Sequence, residues 1–259
     1  MSDLALAGRR PFGTDLLTMV GRCLRLSRRN TDAVLMSLLL PVMLMLLFVY
    51  LFGGAISTGM EYVSWVVPGV ILLCTGFGAA TTAVSVTQDM AGGITDRFRA
   101  MDVSGAAVLG GQVAASVARN VLATVLVFGV GFGIGFRPQA GPVEWLAAAG
   151  ILLAFVVAMS WLSAAVGLLV RSVEAANGFT FFVMFLPYPS SAFVPIDTMP
   201  SWTRGIAEHQ PLNPVIESLR GLLLGTPVGA SPWTALAWCS GLLAGSVALS
   251  VVLFRRRTG

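Results

Sequence analysis

Six long stretches of this 259-residue chain contain no Asp, Glu, Lys or Arg, and this pattern constrains the fold more than any other feature. A charged side chain in the bilayer core costs several kcal/mol, so a charge-free apolar stretch of about 20 residues can cross a membrane. Only 11% of the residues are charged, whereas soluble domains carry about 25%. The sequence therefore predicts an all-α integral membrane protein.

The charge-free stretches predict six transmembrane helices. The third stretch is only 17 residues long, so that helix is extended back through Arg119, whose aliphatic stem can reach towards the headgroups. Residues 1–31 and 255–259 then flank a transmembrane domain over residues 32–254. The predicted spans cover about residues 33–53, 63–86, 114–136, 145–169, 175–194 and 232–254.

The distribution of the arginines predicts the orientation. A cytoplasmic N-terminus leaves only Arg137, Arg204 and Arg220 on the outer side, out of 16 arginines. The positive-inside rule and the even number of spans therefore place both termini in the cytoplasm. The net charge of +4 follows from this bias, and no nucleic-acid partner is expected.

The sequence lacks the residues that most enzymes and pumps require. It has no Lys, which excludes the phosphate-binding P-loop, and its one His and three separated Cys give no metal site. No acidic residue falls in the middle of a predicted span, which argues against proton coupling. We therefore expect no enzymatic activity and no cofactor in this chain.

Two segments flank the first two spans. Residues 12–29 have apolar residues at helical spacing and predict an amphipathic helix lying on the membrane, although a disordered basic tail has the same composition. Residues 89–102 are the most charged internal stretch. There Gly92 and Gly93 can end a helix and Phe98 can project from a new one, so this loop either docks on a partner or is a solvated turn. The candidate docking residues are Asp89, Gly92, Gly93, Asp96, Arg97, Phe98, Arg99 and Met101.

Two further candidate segments are the fifth predicted span and the segment that follows it. Residues 193–225 contain an interfacial aromatic, Trp202, and a helix-like stretch from Pro211 to Gly225 that includes Arg220. This stretch is too short to span, so we expect a re-entrant or interfacial pair of helices rather than an ordinary loop. The fifth span presents an aromatic and Met-rich face beside Pro187 and Pro189, which either lines a cargo path or faces lipid. Its members are Phe181, Phe182, Met184, Phe185 and Tyr188.

Small residues recur four positions apart within the predicted spans and permit close helix packing, within one subunit or across a dimer. Such pairs are also common in transmembrane helices that use them for neither purpose. The pairs are Gly129 and Gly133, Gly131 and Gly135, Ser163 and Gly167, and Gly241 and Gly245.

Several motifs in order resemble the membrane subunits of ABC-2 type exporters, specifically the daunorubicin-resistance branch. The resemblance runs from about Arg22 to the C-terminus. The motifs are Phe48-Val49-Tyr50-Leu51-Phe52-Gly53-Gly54-Ala55-Ile56, Gly93-Ile94-Thr95-Asp96-Arg97-Phe98-Arg99, Ala192-Phe193-Val194-Pro195, Met199-Pro200-Ser201-Trp202, Glu208-His209-Gln210-Pro211 and Leu219-Arg220-Gly221-Leu222-Leu223-Leu224-Gly225.

The resemblance implies a six-span permease of the bacterial plasma membrane that exports hydrophobic or amphipathic compounds, such as an antibiotic or a lipid. It also implies a homo- or heterodimer and a separate ATPase subunit that binds ATP and Mg²⁺. Residues 89–102 would be the coupling helix that docks on this ATPase, and residues 12–29 the connecting helix. The chain departs from the family at Asp102, where Pro is common, and at Gly105 and Gln112, where Arg is common. A non-transporting sensor or immunity subunit and an ion-gradient transporter are the alternatives.

Overall fold

The computed structural model describes residues 18, 20–21, 39, 41–56, 58–93 and 105–258. Within these residues eight helices have defined bounds and no strand is present, which confirms the all-α prediction for this part. The last part of the first helix, Phe48–Phe52, is a π-helix, and a short 3-10 helix, Ile196–Thr198, lies between the fifth and sixth. The helices are α1 (Pro41–Phe52), α2 (Tyr62–Ala91), α3 (Gly105–Gly133), α4 (Pro142–Leu169), α5 (Val173–Phe185), α6 (Ser201–His209), α7 (Leu212–Leu224) and α8 (Ser231–Thr258).

Four of the described helices are long and apolar enough to cross a bilayer. They are α2, α4, the part of α3 from Ala107 to Gly133 and the part of α8 from Ser231 to Phe254. Each has at least 24 residues, and at 1.5 Å per residue this exceeds the roughly 30 Å hydrocarbon thickness. The apolar helices α1 and α5 are shorter, and the six-span arrangement stays a prediction.

Helix α2 is the centre of the bundle. It packs against α3, α4, α5 and α7, while α8 packs on α4 and α7. Its side chains from Val66 to Leu73 are almost completely buried, whereas most of α8 faces outward. The buried polar side chains include several Ser and Thr that donate to carbonyl oxygens of their own helix, such as Thr75 to Ile71 and Ser163 to Met159. These bonds satisfy hydroxyl groups where water is absent.

Local sequence signals explain where several helices begin and end. Pro142 occupies the first turn of α4, where its missing N–H removes no helical hydrogen bond. Ser172 caps α5, its Oγ accepting from the Ala175 N–H at 3.2 Å. At the end of α7, Gly225 adopts a left-handed conformation with φ of +71°, and its N–H donates to the carbonyl oxygen of Gly221.

The end of α5 differs from the sequence expectation. The fifth predicted span covers about residues 175–194 and is kinked by Pro187 and Pro189, but α5 ends at Phe185 and turns follow to residue 194. A proline lacks a backbone donor and disfavours helical conformation in the preceding residue. Two prolines separated by one residue therefore end this helix instead of bending it.

Two predicted segments lie mainly outside the described residues. Of the connecting helix over 12–29, only Thr18, Val20 and Gly21 are described, and all three are helical. The part of the coupling loop from Asp96 to Met101 is also outside them. The roles of Asp96, Arg97, Phe98, Arg99 and Met101 therefore stay predictions from the sequence.

Candidate functional site

The base of the predicted coupling loop is where α2 ends and α3 begins. Helix α2 ends at Ala91, Gly92 follows as its C-cap, and Gly93 has a φ of +63°, a conformation that glycine adopts without strain. One turn earlier, Asp89 Oδ2 accepts a hydrogen bond of 2.6 Å from Nε2 of Gln112 on α3. Gln112 is buried, so this bond fixes the two helices to each other beside the loop.

One of the four small-residue pairs forms a close helix contact within the chain. A Cβ atom on Gly167 of α4 would lie 2.6 Å from the carbonyl oxygen of Ala83 on α2. Thr87 donates to the Gly167 carbonyl oxygen at 3.1 Å at the same place. By contrast, a Cβ on Gly129, Gly133, Gly241 or Gly245 would meet nothing within 4 Å among the described residues.

Buried polar contacts connect the helices on both sides of α2. The hydroxyl groups of Ser116 on α3 and Ser160 on α4 are 2.9 Å apart. Asn120, one turn beyond Ser116, packs against α2, where a Cβ on Gly78 would lie 2.3 Å from its Oδ1. The Ser116–Ser160 contact joins α3 to α4, because a buried hydroxyl is costly to leave without a partner. Asn120 adds packing against α2, and its Oδ1 accepts no hydrogen bond among the described residues.

A continuous row of aromatic rings runs from α5 to α1, and we call it the aromatic ladder. Each ring contacts the next, with centroid separations between 4.4 and 5.7 Å. This range is typical of attractive ring contacts. In order, the members are Phe181, Phe185, Tyr188, Phe193, Phe48 and Phe52.

The ladder contains three of the five residues predicted to line a cargo path. Phe181 and Phe185 are 62% and 48% exposed and Tyr188 is half-buried, so one side of these rings is available to a ligand or to lipid. Phe182 is equally exposed, and Met184 is partly buried, but neither belongs to the ladder. Whether any of these residues contacts cargo stays a prediction.

Sequence reasoning did not assign the other half of the ladder to this surface. Phe193 follows the proline turns and is buried, and it stacks on Phe48 at 4.4 Å. Phe48 and Phe52 are four residues apart on α1, a spacing that puts two rings on one face of a helix. That spacing was the available signal, but only the tertiary fold brings α1 beside residue 193.

Polar side chains hold residues 187–194, the turn that carries the two middle rings of the ladder, Tyr188 and Phe193. Arg220 of α7 donates from Nη2 to the carbonyl oxygens of Ser191, at 2.6 Å, and Trp65, at 3.2 Å. Its guanidinium carbon also lies 3.6 Å from the centre of the Trp65 ring. This geometry combines two charge-assisted hydrogen bonds with a cation–π contact.

Other residues of α6–α7 and α2 contact the same turn. Asn213 accepts from the Ser191 N–H at 3.2 Å, and Gln210 donates to the carbonyl oxygen of Pro189. From α2, the Tyr62 hydroxyl donates to the carbonyl oxygen of Phe193 at 3.2 Å. The turn is therefore fixed through its backbone from two sides.

Glycine allows the closest approach of α2 to this turn. A Cβ on Gly69 would lie only 2.7 Å from both the Cβ and the carbonyl oxygen of Ala192. Any larger side chain at residue 69 would push the turn away from α2, because the clash is with backbone. Gly69 and Ala192 are thus a contact that only small residues permit.

The charges of Arg220 and Glu217 on α7 are set by burial and by local hydrogen bonds. Burial lowers the pKa of Arg220 to about 10, and the carboxylate of Glu217, one turn away, partly opposes this shift. Glu217 itself accepts from Asn213 at 2.8 Å and from Ser231 at 3.1 Å, which connects α7 to the start of α8. At neutral pH the Arg220 guanidinium is therefore charged.

The other predicted residues of the outer segment lie elsewhere on it. Trp202, near the start of α6, is 74% exposed, as expected of an aromatic at a membrane interface. Pro211 is the N-cap of α7, where its missing N–H has no helical acceptor to lose.

Glu174 is exposed in the first turn of α5. Hydrogen bonds from the backbone and from Ser172 lower its pKa.

An apolar cavity of about 280 Å³ lies between α3 and α4, with Ile71 and Leu219 on its inner side. Ligand pockets for drug-sized molecules have volumes of about 300–1,000 Å³, so this cavity is at or below the lower limit. It contains no member of the aromatic ladder. The ladder and the cavity are thus separate surfaces.

The bundle of long apolar helices defines a multi-pass membrane protein, and the comparison with known families agrees. The model of the ABC-2 type transporter family matches residues 14–224. The chain therefore belongs to the ABC-2 type transporter family, as its motifs had indicated.

Curated relatives carry names that refer to drug resistance. The chain is 29% identical to the daunorubicin resistance ABC transporter permease protein DrrB1 of Streptomyces coeruleorubidus, over 85% of this chain and 78% of that protein. It is 24% identical to the probable doxorubicin resistance ABC transporter permease protein DrrC of Mycobacterium tuberculosis, over 90% of this chain and 85% of that protein.

Proposed function

We propose that this chain is the membrane permease subunit of an ATP-driven exporter of hydrophobic or amphipathic compounds. The observation that carries the proposal is the aromatic ladder, exposed at Phe181 and Phe185, in a chain whose relatives are named as drug-resistance permeases. A row of rings with one free side can bind planar aromatic molecules by stacking. It leads from α5 towards the outer end of α1, the direction in which an exporter moves its cargo.

The driving force is proposed to come from a separate ATPase subunit that binds ATP and Mg²⁺. In the four long described helices, the acidic residues lie in terminal turns, Asp89 in α2 and Glu144 in α4. Proton-driven transporters carry ionisable groups deep in the membrane, so this arrangement favours ATP over an ion gradient. The ATPase would dock on residues 89–102, and the Gln112–Asp89 bond would pass its movement to α2 and α3.

The proposal includes the finer arrangement that the sequence predicts. Six spans with both termini in the cytoplasm place the arginine-rich segments inside the cell, and a bacterial plasma membrane is the expected location. Two permease subunits, identical or different, would enclose the cargo between them, with the outer helices α6 and α7 re-entrant or interfacial. Binding of ATP at one site would then bias a two-state transmembrane element at another.

The test is reconstitution of the full chain with the ATPase encoded beside its gene, in proteoliposomes, with the fluorescent anthracycline daunorubicin as the probe. We expect dye movement that requires ATP and both proteins, and none with an ATPase variant that cannot hydrolyse ATP. ATP hydrolysis without dye movement would favour the non-transporting sensor or immunity subunit. Dye movement on an ion gradient without the ATPase would favour a secondary transporter, and either result would overturn the proposal.

A further inference from the structure

The turn of residues 187–194 is the only part of the aromatic ladder that does not lie in a helix. It supplies two neighbouring rings, Tyr188 and Phe193, whose centroids are 5.2 Å apart. A turn has no helical hydrogen-bond ladder of its own, so its position depends on the groups that hold its backbone. Those groups therefore determine whether the ladder rings on α5 connect, through the turn, to the ladder rings on α1.

Arg220 of α7 bonds to both this turn and α2, in addition to the direct bond from Tyr62 of α2 to the turn. Its Nη2 bonds to a carbonyl oxygen of the turn, that of Ser191, and to one of α2, that of Trp65. The side chain is 6% exposed, and its Nε has no acceptor among the described residues. Burial of a charged group with an unpaired donor is unfavourable, so an apolar side chain would serve better if α7 required packing alone.

We infer that Arg220 is a positioning residue for export: it fixes the turn of residues 187–194 to α2, and thereby joins the two halves of the aromatic surface that binds planar cargo. This inference rests on the proposed function and adds to it a residue that does not touch the cargo. Ser191, whose carbonyl oxygen accepts from Arg220, offers a reporter. It is 3% exposed and its hydroxyl has no partner among the described residues, so a thiol can replace the hydroxyl with little disturbance.

The first experiment needs no cargo. Ser191→Cys is combined with Cys23→Ser in the full chain, and labelling by a membrane-impermeant maleimide is followed in detergent micelles by peptide mapping. We expect slow labelling of Cys at residue 191 in the parent and at least 10-fold faster labelling with Arg220→Met. The native Cys74 and Cys239 are buried and stay protected while the bundle is folded.

Arg137→Met is the matched control. Arg137 also donates to two carbonyl oxygens, but those belong to Phe132 and Phe136 at and just beyond the end of α3 and not to the turn. We expect no change in labelling at residue 191. If Arg220→Met also exposes Cys74, the bundle has loosened and Arg220→Lys decides, because Lys keeps the charge and one donor nitrogen. Labelling of residue 191 at an intermediate rate, with Cys74 still protected, supports the inference. The inference is overturned if residue 191 stays protected in both Arg220 variants, or if neither variant labels residue 191 without also labelling Cys74.

The second experiment separates positioning from mere stability. In the reconstituted complex, Arg220→Met is expected to raise the KM for daunorubicin about 10-fold, with kcat changed by less than 2-fold. Arg137→Met should leave both values unchanged. If the parent moves no dye, the proposed function fails while the labelling result still stands. If the parent moves dye and Arg220→Met has an unaltered KM, Arg220 has no role in positioning and the inference is overturned.

Discussion

Gln112 donates from Nε2 to Oδ2 of Asp89 across 2.6 Å, and this bond joins α3 to α2 beside the predicted coupling loop. A bond between a neutral amide and a carboxylate keeps the two helices together without a second charge at this contact. It also makes the base of the loop a point that mutagenesis can address.

Loss of the Gln112 amide should uncouple the loop from the bundle. A hydrogen bond to a charged group contributes about 1.5–3 kcal/mol, so Gln112→Ala should reduce ATP-dependent dye transport roughly 5-fold or more with normal membrane insertion. Gln88→Ala is the matched control, because Gln88 is an exposed amide in the last turns of α2. Gln112→Arg should restore transport, since an Arg can pair with Asp89. Equal transport by the Gln112→Ala and Gln88→Ala chains would contradict the coupling role.

The loop itself provides the second prediction. Phe98→Ala or Arg97→Glu should leave the permease in the membrane but abolish both cargo-stimulated ATP hydrolysis and dye transport, because the ATPase loses an apolar contact or meets a reversed charge. Binding of purified ATPase to the solubilised permease measures the docking directly. Phe132→Ala, an exposed ring on α3 far along the chain, is the control. Unchanged hydrolysis in both loop variants would argue strongly against docking at this loop.

The ladder predicts a difference between two neighbouring rings of α5. Phe185 contacts two rings of the ladder and Phe182 contacts none of them, although both are exposed. Removal of one aromatic contact costs about 1 kcal/mol, so Phe185→Ala should raise the KM for daunorubicin roughly 5-fold, with kcat little changed. Phe182→Ala tests whether the whole face binds cargo, as the sequence predicts, or the ladder alone. An unaltered KM in both variants would mean that this face of α5 contacts lipid.

The contact between α2 and α4 predicts the stability of the bundle. Gly167→Ala puts a Cβ 2.6 Å from the Ala83 carbonyl oxygen, and overpacking of this kind costs about 1–3 kcal/mol. The thermal midpoint in detergent micelles should therefore fall. Gly150→Ala on the same helix meets nothing within 4 Å, so it should leave the midpoint unchanged or raise it, because Ala is the better helix former. The reverse order of midpoints would show that α2 and α4 do not pack this closely.

Much of the fold was predictable from local patterns. Charge-free apolar stretches indicated the long helices α2, α4 and α8, and these helices contain the predicted ranges 63–86, 145–169 and 232–254. The family assignment followed from motifs spread along the chain and is confirmed by the family match. The length of α5 was not predictable in the same way. The sequence stays apolar past Phe185 into the proline turns. Hydropathy measures the free energy of transfer to an apolar phase and not the backbone conformation, so it does not show where the helix ends.

Composition and spacing along the chain by themselves determined the class of protein, its long apolar helices and the residue types on each helix face. These depend on the free energy of transfer of each side chain into lipid and on the 3.6-residue period of the α-helix. Both are properties of the local sequence. The tertiary structure alone decided which helix faces contact each other. Phe193 stacks on Phe48, the backbone of Ala83 packs closely against Gly167, and Arg220 bonds to the backbone of Ser191. Contacts between residues far apart in the chain depend on how the helices pack, and helix packing is a property of the whole bundle.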